Sequence, residues 1–250
     1  MKSSKTIILL ITLITFFSES WAVTKNRIEV CNNRDSIYLV RNSSDFEVTG
    51  DGRNINWDKA NWLDLTQRSQ VDVKHLVTRV KSLYSEKGLY FLFECNDSIL
   101  TSTMDSDFLD LWKEDVVEVF LWPDERYPVY FEYELSPMNH ELVLLISNND
   151  GELLRWQPFH YESNRTTMRN TSIIGGKKES FANVNKWISE FFIPYKLLKP
   201  LNFNVPEKGD RWRANFYRVD YDDDKSVSWS WQKTRTNFHD YECFGSIVFE

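Results

Sequence analysis

The sequence predicts an all-β protein: an antiparallel β-sandwich of jelly-roll type, with about ten strands and few short helical turns. Three observations predict it. Short runs rich in Val, Ile, Phe and Tyr recur between turn signals from Phe46 to the end of the chain. Aromatic residues make up 15% of the chain against only 8 glycines, a composition that suits pleated sheets. Long helices are hard to place anywhere in it.

In chain order, the first segment is for targeting. Lys2 and Lys5 precede the apolar run Thr6–Phe17, and the small residues Ser20 and Ala22 flank Trp21. That is a secretory signal cleaved after Ala22, too short to be a membrane span. Export to the outside or the periplasm is expected, with no transmembrane anchor left after cleavage. Residues 23–45 are polar and read as an irregular lead-in. Residues 46–250 read as one domain, a size that all-β units reach. Phe46–Gly52 predicts a strand running into an Asp-Gly turn. Thr78–Tyr84 and Leu89–Cys95 predict a hairpin turning near Lys87–Gly88. Val116–Trp122 predicts a strand that pairs with Val129–Pro137 across "PDERYP". "ELVLLIS", "TTMRNTSII", "ANVNKWISEFFIP", "RWRANFYRVDY", "SVSWSWQ" and "CFGSIVFE" supply the rest. Asp107–Asp115 and Pro194–Leu201 read as short helical turns, the second with Pro at an early helical position.

Charge and cysteines narrow the function. The net charge of −7 makes a poor nucleic-acid binder, and no Lys/Arg stripe marks a membrane surface. Of Cys31, Cys95 and Cys243, not all can pair internally, and there is no CxxC. Cys95 is expected buried. If a disulfide forms, Cys31 with Cys243 is favoured, because chain ends often lie close together. A monomer is expected.

Glu118 breaks the apolar strand "VVEVFLW". With Val117 and Val119 in the core, alternation puts Glu118, Glu132, Glu134, Asn215 and Tyr217 on one exposed sheet face. Such a face is often simply wet. Paired Glu residues are also what a glycosidase needs, so a glycoside-active enzyme is one alternative. Met138 and His140 carry the other, a haem-binding electron-transfer domain. Neither G-x-S-x-G nor H-E-x-x-H occurs, and binding is favoured over catalysis. "DYDDDKS" looks like the front of a calcium loop but lacks its Gly and late Glu, and reads better as an acidic turn. Near the C-terminus, Trp229, Trp231, Asn237 and Phe238 combine stacking rings with polar groups. Sugars offer apolar C–H faces to such rings and hydroxyls to carboxylates, amides and guanidinium groups. Trp112, Glu118, Asn215, Arg218, Asn237 and Phe238 supply those types.

"LYFLFECND", "LWKEDVVEVFLWPD", "YFEYELSP", "WISEFFIPYKLL", "WRANFYRVD", "WSWQ" and "NFHDYECFGSIVF" occur in that order. Over about residues 50–249 the chain resembles the carbohydrate-binding family 9-like proteins, sandwich modules often secreted by bacteria. The resemblance implies an oligo- or polysaccharide ligand and an aromatic clamp on a sugar ring, in the service of polysaccharide use. It puts the two clamp aromatics at Trp112 and Phe238, the acid at Glu118 and an amide at Asn237 or a neighbour. Tyr217 stands where sugar-binding members carry a polar amide, and Glu132 where they carry a basic residue. Arg218 and Trp231 complete the candidate ligand-binding set with Asn215. Some members hold structural calcium, for which Asp220, Asp222 and Asp224 are the candidates.

Overall fold

A computed structural model describes residues 36–68, 73, 75–149, 152–202, 204–222 and 225–250. The expected signal, Cys31 and Asp224 lie outside the described residues. Among the described residues, fourteen strands form. They are β1 (Ile37–Asn42), β2 (Leu63–Asp64), β3 (Thr66–Gln67), β4 (Thr78–Tyr84), β5 (Gly88–Asn96), β6 (Val116–Trp122), β7 (Val129–Leu135), β8 (Glu141–Asn149), β9 (Glu152–Pro158), β10 (Met168–Ile174), β11 (Lys186–Pro194), β12 (Arg211–Asp222), β13 (Lys225–Ser230) and β14 (Gly245–Phe249). One short helix, α1 (Tyr195–Leu198), follows β11.

The hydrogen-bonded order is β10-β11-β5-β4-β1-β14-β12-β6-β7-β8-β9, with β2, β3 and β13 attached at the sides. This is a curled sheet that folds on itself as a sandwich. Its interior takes alternate residues from both halves: Phe91, Phe93 and Phe191 from one, Val117, Val119, Phe131, Tyr133 and Phe216 from the other. The expected hairpins are present. β4 pairs antiparallel with β5, and β6 with β7.

Three elements differ from expectation. Ile37–Asn42, within the segment read as an irregular lead-in, is a central strand. It buries Tyr38 and Val40 and runs parallel to both β4 and β14, which makes the sheet mixed. Phe46–Thr49 is not a strand. It lies over the outer face of β5, where Phe46 stacks on Tyr90 at 4.1 Å between ring centroids. β9 was not anticipated. Its residues are mostly exposed, so they lack the apolar alternation that marks a strand.

Both outer faces of the sandwich are covered. Trp57, Tyr90, Leu92, Ile188 and Phe192 form a small core under residues 43–62. Glu190, at the centre of β11, fastens that cover. It accepts hydrogen bonds from the backbone N–H of Thr49 (2.9 Å) and Gly50 (2.6 Å) and from Trp57 Nε1 (2.8 Å). On the opposite face Phe120, Tyr130, Leu144, Ile146 and Tyr217 form a third core, against which Trp112 and Phe238 pack.

Candidate functional site

The parity argument about Glu118 holds, and the exposure argument does not. Glu118 pairs with Glu134 on β7 and with Tyr217 on β12, and Phe120 pairs with Glu132 and Asn215, so all of them share one face. Yet Glu118 is only 2% exposed, Glu132 4% and Glu134 0%. Two connecting segments, residues 97–115 and 231–244, fold over this face. What they leave open is a cavity of ≈ 490 Å³ whose lining includes Trp112, Glu118, Glu132, Trp156, Asn237 and Phe238.

The first segment is pinned by acids. Asp115 accepts from the N–H of Thr101 (2.6 Å) and of Tyr221 (2.8 Å), and Glu114 accepts from the N–H of Thr103 (2.6 Å) and Met104 (3.0 Å). The Tyr221 hydroxyl donates to the Trp112 carbonyl at 3.0 Å. These bonds hold the short 3-10 turn Leu111–Lys113 at the cavity mouth, where the half-buried Trp112 ring meets Trp156 of β9 edge-to-face at 5.7 Å. Trp156 is the member that sequence reasoning missed. Its signal was a large aromatic, 45% exposed, on an edge strand.

The second segment rests on β12. Asn215 donates to the Gln232 carbonyl (2.9 Å) and accepts from the Gln232 N–H (2.8 Å). Tyr217 donates to the Phe238 carbonyl at 2.8 Å, and its ring stacks flat on Phe238 at 4.1 Å. Asn215 and Tyr217 therefore support the wall of the cavity from beneath and do not line it. The Arg68 guanidinium also lies over the Phe238 ring, 5.1 Å from its centroid, and bonds Thr234. His239 rests on Phe120, and its Nδ1 meets the Tyr130 hydroxyl at 2.7 Å.

The carboxyl groups on the floor have an unusual electrostatic setting. Burial raises Glu118, and the neighbouring Glu132 raises it further, while Arg68 opposes. Burial pushes Glu132 up to about 8, and the neighbouring Glu134 offsets part of that rise. Burial likewise raises Glu134, with Glu118 and Glu132 adding to it. No N–H or hydroxyl reaches either oxygen of Glu134 or Oε2 of Glu132. Burial lowers His239 to about 4, so its ring is neutral at pH 7.

Two further expected ligand-binding residues, Arg218 and Trp231, also lie outside the cavity lining. Arg218 is fully buried, because even-numbered residues of β12 face the sandwich interior and odd-numbered ones the cavity. Its guanidinium bonds Asp97 (2.9 Å), Asp220 and the Asn96 carbonyl (2.5 Å), and lies over Trp229 at 5.0 Å. Trp231, which follows β13 directly, stacks on Phe216 at 5.4 Å and covers Gly245 at the start of β14. The calcium candidate Asp220 is likewise turned inward, onto Arg218. Among the described residues no group of three or more acids, His or Cys could hold a metal ion. Met138 packs against the main core and His140 lies 3.6 Å from Asp107, so the pair behind the haem alternative is spent on structure. Cys243 is in a disulfide and Cys95 is a buried free thiol. No described helix is long and apolar enough to cross a membrane.

No curated protein matches the chain. Among solved structures, the fold is similar to that of a carbohydrate-binding protein, so described provisionally, from Bacteroides uniformis. The TM-score is 0.68 at 16% identity, over 86% of this chain and 99% of that one. It is also similar to a family 9 carbohydrate-binding module from Caldicellulosiruptor kristjanssonii. Its complex with cellotriose gives a TM-score of 0.62 at 16% identity, over 86% of this chain and 94% of that one. Its complex with glucose gives 0.60 at 16% identity, over 86% and 96%. The family model described as "Carbohydrate family 9 binding domain-like" matches residues 48–250, and the chain belongs to that family.

Proposed function

We propose that this protein is an exported, non-catalytic carbohydrate-binding module that serves polysaccharide use. The observation that carries the reading is the cavity itself. Trp112 and Trp156 at its mouth and Phe238 in its wall offer apolar ring surface, while Glu118, Glu132 and the exposed Asn237 offer polar partners for hydroxyls. A sugar ring needs both kinds of surface at once. The Caldicellulosiruptor module of the same family was solved with cellotriose and with glucose, which supports the ligand class. Phe238 contributes to the wall but shares its ring with Tyr217 and Arg68, so the two tryptophans carry most of the stacking.

A glycan array followed by calorimetric titration tests this. Trp112→Ala and Trp156→Ala should each remove about 1–3 kcal/mol of binding, the scale of an aromatic hot spot. Both rings are partly exposed, so melting should change little. An array without a single bound glycan, or titrations unaltered by both substitutions, would defeat the reading.

A further inference from the structure

Buried acids occur on several strands of the sandwich, and they meet different fates. Glu190 receives donors from Thr49, Gly50 and Trp57. Glu141 receives the hydroxyls of Tyr133 (2.8 Å) and Thr167 (2.7 Å) and an Arg169 guanidinium N–H at 3.0 Å. The acids beneath the cavity receive far less. Glu132 lines the cavity, is 96% buried and keeps Oε2 without a hydrogen-bond partner, and Glu134 behind it lacks a donor to both oxygens. A buried carboxyl that lines a cavity with an acceptor unfilled is a socket for a ligand group.

The groups facing this trio set the charge that socket prefers. From β12 come Tyr217 and Tyr221, from β7 Tyr130, from the 231–244 segment His239, and from the 97–115 segment Asp110. Arg68 is the cation in reach of Glu118. It is partly spent on Thr234 and the Phe238 ring. Among the described residues, three carboxyls thus confront one arginine and a neutral imidazole. The whole chain carries a net charge of −7, which draws a polycation toward it.

We propose that the cavity takes an amino sugar with a free amine, a glucosamine-type unit, whose ammonium sits on Glu118 and Glu132. This rests on the carbohydrate reading above. An ammonium brings three donors to a place that has unfilled acceptors, while the rest of the ring stacks on the tryptophans. Without ligand, burial favours the protonated form of each of the three acids. The ammonium replaces those protons, so binding releases protons to solvent. Affinity for the amine should therefore form a bell between about pH 5 and pH 9: weak at the acid end, where the carboxyls keep their protons, and weak at the alkaline end, where the amine loses its own.

The test titrates the full exported chain with a glucosamine trimer, its fully N-acetylated form and cellotriose, in two buffers of different ionisation heat. Near neutral pH the free-amine trimer should bind on the order of tenfold to hundredfold tighter than either neutral trimer, the weight of a charge-assisted hydrogen bond. Protons should appear with it alone. Glu132→Gln and, independently, Glu118→Gln should reduce this preference and flatten the bell, with melting curves verifying that each variant folds. Equal or tighter binding of a neutral trimer without proton release overturns the amine assignment and leaves the carbohydrate reading standing. An amine preference untouched by both substitutions places the amine elsewhere and overturns it too. If the trimers and a broad glycan array all fail, the carbohydrate reading falls and the amine falls with it.

Discussion

Removing Arg218 should damage stability, and most severely at high pH. The guanidinium is fully buried between the two halves of the sandwich and bonds Asp97, Asp220 and the Asn96 carbonyl. Asp97 also accepts from Trp187 Nε1 at 3.1 Å. Arg218→Met keeps the length and removes the charge, which leaves two aspartates in the core without a cation. Breaking one side of a buried pair costs about 3–5 kcal/mol. For a chain of this size each kcal/mol is worth about 2–4 °C, so the melting temperature should fall by roughly 6–20 °C. Burial already raises Asp97 to about 7 against the pull of Arg218, and Asp220 adds to the rise. Without the arginine both aspartates hold their protons still more tightly. The folded variant then binds more protons than the unfolded chain over this range, so its stability falls as pH rises. The gap between variant and parent should be smaller near pH 5 and widen toward pH 8. Adding Asp97→Asn and Asp220→Asn should recover much of the loss, since a neutral cluster has nothing left unpaired. Scanning calorimetry at both pH values decides. A variant that melts with the parent at pH 8, or a gap that narrows with rising pH, would refute the reasoning and return Arg218 to the list of surface-facing candidates.

Two further outcomes follow from the buried acids. Glu132 sits at about 8 in the fold against an ordinary 4.5, so the fold binds the extra proton and should lose stability between those values. His239, held down at about 4, contributes stability that is lost as pH falls through 6.5 toward 4 and masks that trend on the acid side. The window from about pH 6.5 to 8 is free of His239; Asp97, Glu118 and Glu134, also raised by burial, add to the decline there, and Glu132→Gln should remove about 1–2 kcal/mol of it. Glu190→Ala strips the acceptor from two backbone N–H groups and the Trp57 indole, and denaturant titration should report a loss of about 3 kcal/mol. A loss below about 1 kcal/mol would mean that residues 43–62 are held mainly by Trp57 and Phe46.

Period-2 patterning made most of the sheet legible. Val116–Trp122, Val129–Leu135 and Arg211–Asp222 pair as the alternation requires, and Glu118, Glu132, Glu134, Asn215 and Tyr217 share a face. Alternation says which side a residue takes, and nothing about what lies over that side. That is why a face expected to be wet is buried under residues 97–115 and 231–244. The same limit hid Trp156, on an edge strand whose exposed residues show no apolar period. It also hid β1, whose two buried residues, Tyr38 and Val40, are too few to lift a polar segment above its surroundings. Arg218 and Trp231 were misplaced for a different reason. They were grouped with the site by chemical type, although Arg218 has the opposite parity from Tyr217 on the same strand.

That parity gives β12 two separate tasks. Its even-numbered side carries Trp212, Ala214, Phe216, Arg218 and Asp220 into the interior, where a charged cluster ties the two halves of the sandwich together. Its odd-numbered side carries Asn215 and Tyr217, which support residues 231–244 and so fix Phe238 and His239. Stability and site geometry thus depend on alternate residues of one strand. Asp115 joins the two sides: it accepts from Tyr221 N–H at the end of β12 and from Thr101 N–H in the segment that carries Trp112. Substitutions at even positions of β12 should therefore shift melting with little change in ligand preference. Substitutions at odd positions should move the cavity wall and alter binding before the fold gives way. Tyr217→Phe is the cleanest instance, since it keeps the stack on Phe238 and deletes the 2.8 Å bond to the Phe238 carbonyl together with the 2.6 Å bond accepted from Asn215 Nδ2. Its cost should be about 2 kcal/mol in stability, about 1 for each bond, with the larger effect in the affinity of whatever sugar the cavity holds.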